Sequence, residues 1–394
     1  MDANKVLSLF KEITKIPRES AHEELIIEYL KDFAAKNNLK CKVDAASNVL
    51  ITREAHPSRK NDPTIVLQAH TDMVCEKIAS SNHDFAKDPI NYIIKDGWMI
   101  APETTLGADC GLGIAAALAL LESNKALHKL ECLFTASEET GMDEAFGLQP
   151  AFFEGKTLIN LDSEDEGELF VGCSGGITKN ITIPFKKSAP AKDRKAYRIE
   201  VFVAIGGHSG DDINKHRASA LVLLFRELYS LVATGYEPQI IDIDGGGKHN
   251  AISREAHATV VLNANPSALI DEFKSALRIE YGSIEPGLDV SIREVKIGNA
   301  LSVEDSAAFI ASLAAAPHGV LEMSHDIPGL VETSTNFASL HIVEDKFAIV
   351  ASQRSSIVSA CLAAAEKFSA AFASLSGVEI EYTGQSPGWQ PNLE

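Results

Sequence analysis

The sequence predicts an α/β fold in two domains. Short apolar runs alternate with helix-period segments through residues 1–184, the pattern of a mostly parallel sheet covered by helices. A polar, proline-containing stretch then changes the texture, and 394 residues exceed one ordinary core. We therefore expect a first α/β domain over 1–184, a second α+β domain over 185–384, and a return to the first domain in 385–394.

Taken in order, residues 5–36 read as two amphipathic helices. Ser20 and Glu23, three apart, form a capping box, and Leu25, Ile26, Tyr29, Leu30 and Phe33 make one face. NVLIT and TIVLQA read as strands, the second apolar on both faces and so central in a parallel sheet. GLGIAAALALLES reads as a helix, ECLFTA as another buried strand, DEAFGLQPAFF as a short helix, and TLINL as a third buried strand. KKSAPAKDRKAY is the expected linker. Beyond it come the strand YRIEVFVAI, a helix at 215–233, strands near 239–243 and 256–262, a helix at 267–277 and a strand near 289–296. A like series follows: a helix at 303–316, strands through GVLEMS, LVETSTNFASLHI and FAIVASQ, a helix at 356–374 and the strand VEIEYT. The second domain thus reads as two α+β units in tandem.

Composition narrows the function classes. With 45% hydrophobic and 23% charged residues the chain is globular, and a net charge of −19 argues against nucleic acid and anionic membrane surfaces as partners. MDANKVLSLFKEITK lacks a secretory core, and the longest apolar stretch, GIAAALALL, is too short to span a bilayer. The six cysteines form no C-x-x-C pair, which fits a reduced, cytoplasmic protein without a Cys-rich zinc site.

Imidazole and carboxylate groups recur at one kind of place. His70 and Asp72 follow TIVLQA, Glu138 and Glu139 follow ECLFTA, Asp162 follows TLINL, and Asp109 precedes a helix in LGADCGLG. Ligands of open α/β sheets bind beyond the carboxyl ends of the strands, so all of these groups arrive at the same edge. Each has an ordinary reading: a surface turn for His-x-Asp, a solvated face for Glu-Glu, a helix cap for Asp109, an exposed acidic loop for Asp162. Together they would repel strongly unless cations neutralised them. Imidazole with mixed carboxylates suits Zn²⁺, with Mn²⁺ or Co²⁺ as substitutes, and Asp72 is placed to fix the tautomer of His70.

QAHTDMV, LGADCGLGIA, TASEETGM, NLDSEDEGEL and GGHSGDDI resemble the co-catalytic zinc metallopeptidases of the aminoacylase and carboxypeptidase type. Within that clan, GCSGG, GKHNAISREA and SPGWQPN resemble the cytosolic aminoacyl-histidine (Xaa-His) dipeptidases. The likeness runs in order through most of the chain. It implies a mostly parallel-sheet zinc-peptidase catalytic domain with an inserted α+β lid domain, a pair of zinc ions, dipeptide substrates and a homodimer.

Carried over by position, His70 and Asp162 would bind one zinc, Asp109 would bridge to the other, and Glu139 would hold that second ion. Glu138 would be the general base. Two metals about 3.5–4 Å apart activate a shared water and polarise the scissile carbonyl, which leaves a neighbouring carboxylate to carry the proton. In the second domain His208 is either a turn histidine or an oxyanion donor. Arg354 is either a surface arginine or a clamp for the free carboxylate of a dipeptide. Asn250 and Asn336 are further substrate-side positions, better suited to holding backbone groups. The family completes its second metal with a histidine in a C-terminal His-x-Gly-Leu-Glu motif. None of the 12 histidines here lies in one, so the second site reads as incomplete and the chain as truncated, with the final Leu-Glu native or added. Two rival readings are an N-acyl or N-succinyl amino acid deacylase of the same clan and a non-catalytic metal-binding relative.

Overall fold

The structure is a computed structural model that describes residues 2–123, 125, 127–141, 143–163 and 167–391. The chain separates into two compact units, Met1–Leu169 and Phe170–Glu394.

Unit 1 opens with helices α1 (Ala3–Ile13) and α2 (Glu24–Lys36), then strands β1 (Lys40–Val43), β2 (Val49–Arg53) and β3 (Ile65–His70). A small hairpin, β4 (Ile93–Lys95) and β5 (Trp98–Ile100), precedes helix α3 (Ala108–Glu122), β6 (Leu130–Thr135), the single-turn α4 (Asp143–Phe146) and β7 (Thr157–Asn160). The main sheet has the order β1-β2-β6-β3-β7. Parallel pairing is confined to β6–β3 and β3–β7, whereas β1–β2 and β2–β6 are antiparallel, so the sheet is mixed. The α/β class holds.

Burial explains these elements. β6 is buried at every position, as a strand covered on both faces must be. α3 is apolar almost all round and packs with α1, α2 and the sheet in one core containing Phe10, Ile13, Leu30, Ile114, Leu118 and Phe134. Two expectations need adjusting. TLINL forms β7, but all four of its residues are exposed because it is the sheet's edge and pairs only with β3 among the described residues. DEAFGLQPAFF supplies only one helical turn.

Unit 2 begins earlier than the sequence suggested. Its first strand, β8 (Gly175–Pro184), pairs with strands of this unit, so the boundary falls near 170 and not at 184. The remaining elements are β9 (Lys195–Phe202), β10 (Gly207–His208), α5 (Ala220–Ala233), β11 (Gln239–Gly246), β12 (Ala251–Ile252), β13 (Ala256–Leu262), α6 (Ser267–Tyr281) and β14 (Asp289–Val295). α7 (Val303–Ala315), β15 (Gly319–Met323), β16 (Val331–Val343), β17 (Lys346–Ser355), α8 (Val358–Ala370) and β18 (Glu379–Ser386) complete it. α5 starts five residues later than the expected 215.

The two expected tandem units are in fact one nine-stranded sheet, in the order β14-β9-β13-β11-β16-β17-β8-β18 with β15 against β16. The halves join where Gly245 and Gly246 of β11 pair with Leu340 and Ser339 of β16. A Cβ on Gly246 would lie 1.9 Å from the Ala338 carbonyl oxygen, so only glycine allows this seam. Alternate residues of the strands meet α5, α6, α7 and α8 in one core that includes Ile199, Leu224, Phe273, Phe309 and Phe337. Among the described residues, 385–391 stay with unit 2 instead of returning to the first domain, since Trp389 pairs with Cys173. Residues 392–394 lie outside the described residues, as do 164–166 of the acidic run after Asp162.

Candidate metal centre

Register brings the first-domain candidates together. In the parallel pairs His70 lies beside Thr135 and Gln68 beside Asn160. Two residues past Gln68 is His70, and two past Asn160 is Asp162, so both reach the same sheet edge. Leu161 N–H donates to Gln68 O (2.8 Å) and Thr71 N–H to Thr135 O (2.8 Å), which carries the register past the strand ends. Ser137, at φ 51°, then turns the chain so that Glu138 and Glu139 come back over the edge.

His70 is fully buried and sits at the centre. Its Nε2 is 2.9 Å from Asp109 Oδ1 and 3.3 Å from Asp162 Oδ1, while Nδ1 is 3.1 Å from Asp72 Oδ1. Asp109 does not cap α3: its backbone is non-helical, the cap position is Gly107, and no side chain caps that end. A Cβ on Gly113 would lie 3.0 Å from Leu161 O, so this glycine lets α3 close on the end of β7.

Asp72, also fully buried, organises the rest. Oδ1 accepts from His70 Nδ1 and from Glu138 N–H (3.0 Å); Oδ2 accepts from Ser20 Oγ (2.7 Å) and Glu139 N–H (3.1 Å). One carboxylate therefore orients the imidazole and both glutamates. Burial alone would raise its pKa, but His70, Ser20 and the two amides hold it down at about 2. The capping box expected from Ser20 and Glu23 does not form. Ser20 is drawn to Asp72, and Glu23 Oε1 accepts from Ser137 N–H (2.8 Å) and Ser137 Oγ (3.1 Å).

The electrostatics call for a cation. Burial lowers the pKa of His70, yet the facing carboxylates of Asp162 and Asp72 outweigh it and push it up to about 11. Glu138 and Glu139 are raised, by burial first and then by neighbouring carboxylates. Asp162 Oδ1 is buried and makes no hydrogen bond. One N–H at Nε2 cannot satisfy both aspartates, whereas a metal ion there would meet imidazole, Asp109 and Asp162 together. The donor set fits such an ion: the ligand atoms of His70, Asp109, Cys110 and Asp162 lie within 4.8 Å of one another, as do those of His70, Glu138 and Glu139. Asp109, Cys110, Leu112 and Asp162 line a cleft of ≈ 330 Å³.

Cys110 was not singled out from the sequence, because a lone cysteine carries no spacing signal. Its thiol is pushed up by burial and by Asp162, which makes it a poor ligand beside carboxylates. Glu139 groups with His70 and Glu138 rather than with Asp109.

The chain that carries these residues is similar to known hydrolases. Residues 66–371 match peptidase family M20/M25/M40. The chain belongs to that family. It is a peptide-bond hydrolase. It is similar to the cytosol non-specific dipeptidase of Escherichia coli (strain K12), 36% identical over 390 residues that cover 98% of this chain and 80% of the relative. A probable carboxypeptidase of Aspergillus niger is 23% identical over 86% of the chain and 79% of its own length. Among solved structures, aminoacylhistidine dipeptidase from Vibrio alginolyticus superposes with a TM-score of 0.87 at 35% identity, over 100% of this chain and 81% of the other. No helix among the described residues is long and apolar enough to cross a membrane.

The remaining candidates lie in unit 2. His208 pairs with Ala251 across the β10–β12 bridge, and its Nδ1 is 2.9 Å from Asp211 Oδ2. A Cβ on Gly210 would lie 3.1 Å from His208 Nδ1 and 3.6 Å from Arg354 Nη1, so the glycine lets imidazole and guanidinium flank one turn. His249 is held low by burial and then by the charges of Arg354, Lys248 and His208. Asn336 Nδ2 donates to His249 O (3.0 Å) and Ala251 O (2.9 Å), and its Oδ1 is buried without a partner. The Asn250 carbonyl accepts from Ser209 N–H (2.8 Å). Residue type alone did not reveal His249, which needs the β10–β12 register to bring it near His208.

Proposed function

We propose that this protein is a metal-dependent dipeptidase with broad specificity that includes Xaa-His or β-alanyl-histidine substrates, working in the cytoplasm on two metal ions. The observation that carries the reading is His70 Nε2 facing two aspartates while one buried carboxylate, Asp72, orients both the imidazole and the adjacent glutamates. Its similarity to two dipeptidases over nearly the whole chain supports the substrate class.

His70, Asp109, Asp162 and Glu139 would hold the metals, Zn²⁺ by donor type with Mn²⁺ or Co²⁺ as substitutes. When bound, the metal pair supplies an acidified water and a polarised carbonyl. The chain's own residues do the rest. Asp72 keeps Nδ1 of His70 as the donor, so Nε2 offers its lone pair. Glu138, raised by burial, accepts the proton of water and passes it to the leaving amine. On unit 2, His208 is the candidate donor to the developing oxyanion and Arg354 the candidate partner of the dipeptide carboxylate.

The test is a substrate panel with metal analysis: Xaa-His dipeptides, β-alanyl-histidine and other dipeptides against N-acetyl and N-succinyl amino acids. Cleavage of free-amino dipeptides, abolished by chelation and restored by Zn²⁺, is the expected result. Preference for N-acylated substrates would make the protein a deacylase instead.

A further inference from the structure

The turn between α1 and α2 makes contacts that neither helix needs. Arg18 is 3% exposed, and its guanidinium touches three backbone carbonyls. Nη1 donates to Thr71 O (3.0 Å) and Asp72 O, and Nη2 donates to Gly107 O. Thr71 and Asp72 belong to the turn that carries His70; Gly107 is two residues before Asp109. Arg18 O in turn accepts from Met73 N–H (3.1 Å), and Glu19 bridges Met73, so the whole turn is laid along the His70 segment.

Two glycines record how tightly this guanidinium fits. A Cβ on Gly107 would come within 2.6 Å of Arg18 Nη2, and one on Gly111 within 2.9 Å. The glycines of LGADCG are thus spaced around Arg18, not around a bound phosphate or a free loop. Two residues on, Ser20 Oγ fills the last acceptor position of Asp72, a carboxylate that already receives His70 Nδ1 and the Glu138 and Glu139 amides. Four donors saturate the four lone-pair directions of one buried carboxylate.

We propose that Arg18 and Ser20 are positioning residues of the metal centre: Arg18 sets the separation of the His70 and Asp109 turns, and Ser20 fixes the rotamer of Asp72. The inference rests on the metallopeptidase reading. The planar arginine fork reaches carbonyls of two separate turns from two nitrogens at once, whereas an ammonium gathers its three donors at a single point. Loss of the Ser20 hydroxyl leaves Oδ2 of Asp72 held by the Glu139 amide alone, which loosens the carboxylate and with it His70 and the glutamate turn.

The experiment uses the full chain stripped of metal, with Zn²⁺ affinity measured by competition with a chromogenic chelator, the melting point of the apo-protein, and kcat and KM for a dipeptide the wild type cleaves. Ser20→Ala and Arg18→Lys should each weaken Zn²⁺ binding about 10–100-fold, as loss of a ligand-orienting partner does. The fall in kcat/KM should lie in kcat, with KM within about twofold, and the apo-protein should melt close to wild type. Ser20→Thr, which keeps the hydroxyl, should restore most of both. Wild-type Zn²⁺ affinity in Ser20→Ala and Arg18→Lys overturns the proposal. So does a Ser20→Thr variant as impaired as Ser20→Ala, which would mark a packing role. Should Ser20→Ala fail to fold, Arg18→Lys decides alone. Failure of the wild type to bind Zn²⁺ or cleave any dipeptide would fault the functional reading, and this inference with it.

Discussion

At the scale of single residues, the site separates groups that hold metal from the group that moves the proton. Glu138→Gln should lose about 10²–10⁴-fold in kcat while metal content stays at the wild-type level. Its backbone anchor on Asp72 does not involve the carboxylate, so the geometry survives. Metal analysis and turnover on the same sample check this, and an active Glu138→Gln would move the base elsewhere. Arg354→Ala should raise KM for a dipeptide far more than for the matching dipeptide amide; equal losses would make Arg354 structural. His70, Asp72, Glu138, Glu139 and Asp162 were legible as residue types at strand ends, and Asp109 as an aspartate before a helix. The roles of Arg18 and Ser20 were not, because their partners are 53 and 52 residues away in sequence. Ser20 with Glu23 carries a helix-start signal, and it is cancelled because Asp72 takes the Ser20 hydroxyl, Ser137 takes the Glu23 carboxylate and the helix starts only at Glu24.

At the scale of elements, the unit 2 core depends on a cluster of rings. Phe337 of β16 is fully buried, with ring centroids 4.9 Å from Phe225 of α5 and 5.3 Å from Phe368 of α8. Phe337→Ala should cost about 3–5 kcal/mol of that unit's stability, measurable by denaturant unfolding. α5 also carries Glu227, 2% exposed, whose Oε1 has no partner. Burial pushes it up to about 8 from its ordinary 4.5. The folded state then keeps a proton that the unfolded chain releases. Its stabilisation is complete below about pH 4.5 and is lost as pH rises to about 8. Glu227→Gln should flatten stability against pH across that window; an unchanged slope would show that Glu227 is not its source.

At the scale of the whole molecule, each unit has its own core, and among the described residues the candidate metal ligands lie in unit 1. Ligand binding stabilises only what binds, by about 2.7 kcal/mol at a hundredfold excess over Kd. Chelation should therefore speed hydrogen exchange in β3 and β6 while leaving β9 and β13 nearly unchanged. Equal acceleration in both would mean that the metal is held elsewhere.

The sequence by itself determined the α/β class, most of the helices and strands, and which residue types gather at the strand ends. Those follow from local periodicity and from the rule that parallel strands deliver their ends to one edge. Only the tertiary structure decided that GGITKNITIP belongs to the second sheet, that two similar series of elements share nine continuous strands, and that TLINL is an exposed edge. Strand partners are chosen by hydrogen bonding between distant segments, and an apolar run looks the same whether its neighbours come from one side or two. The hub at Asp72 has the same origin: four donors from residues 20, 70, 138 and 139 meet there because three separate chain segments fold onto one carboxylate.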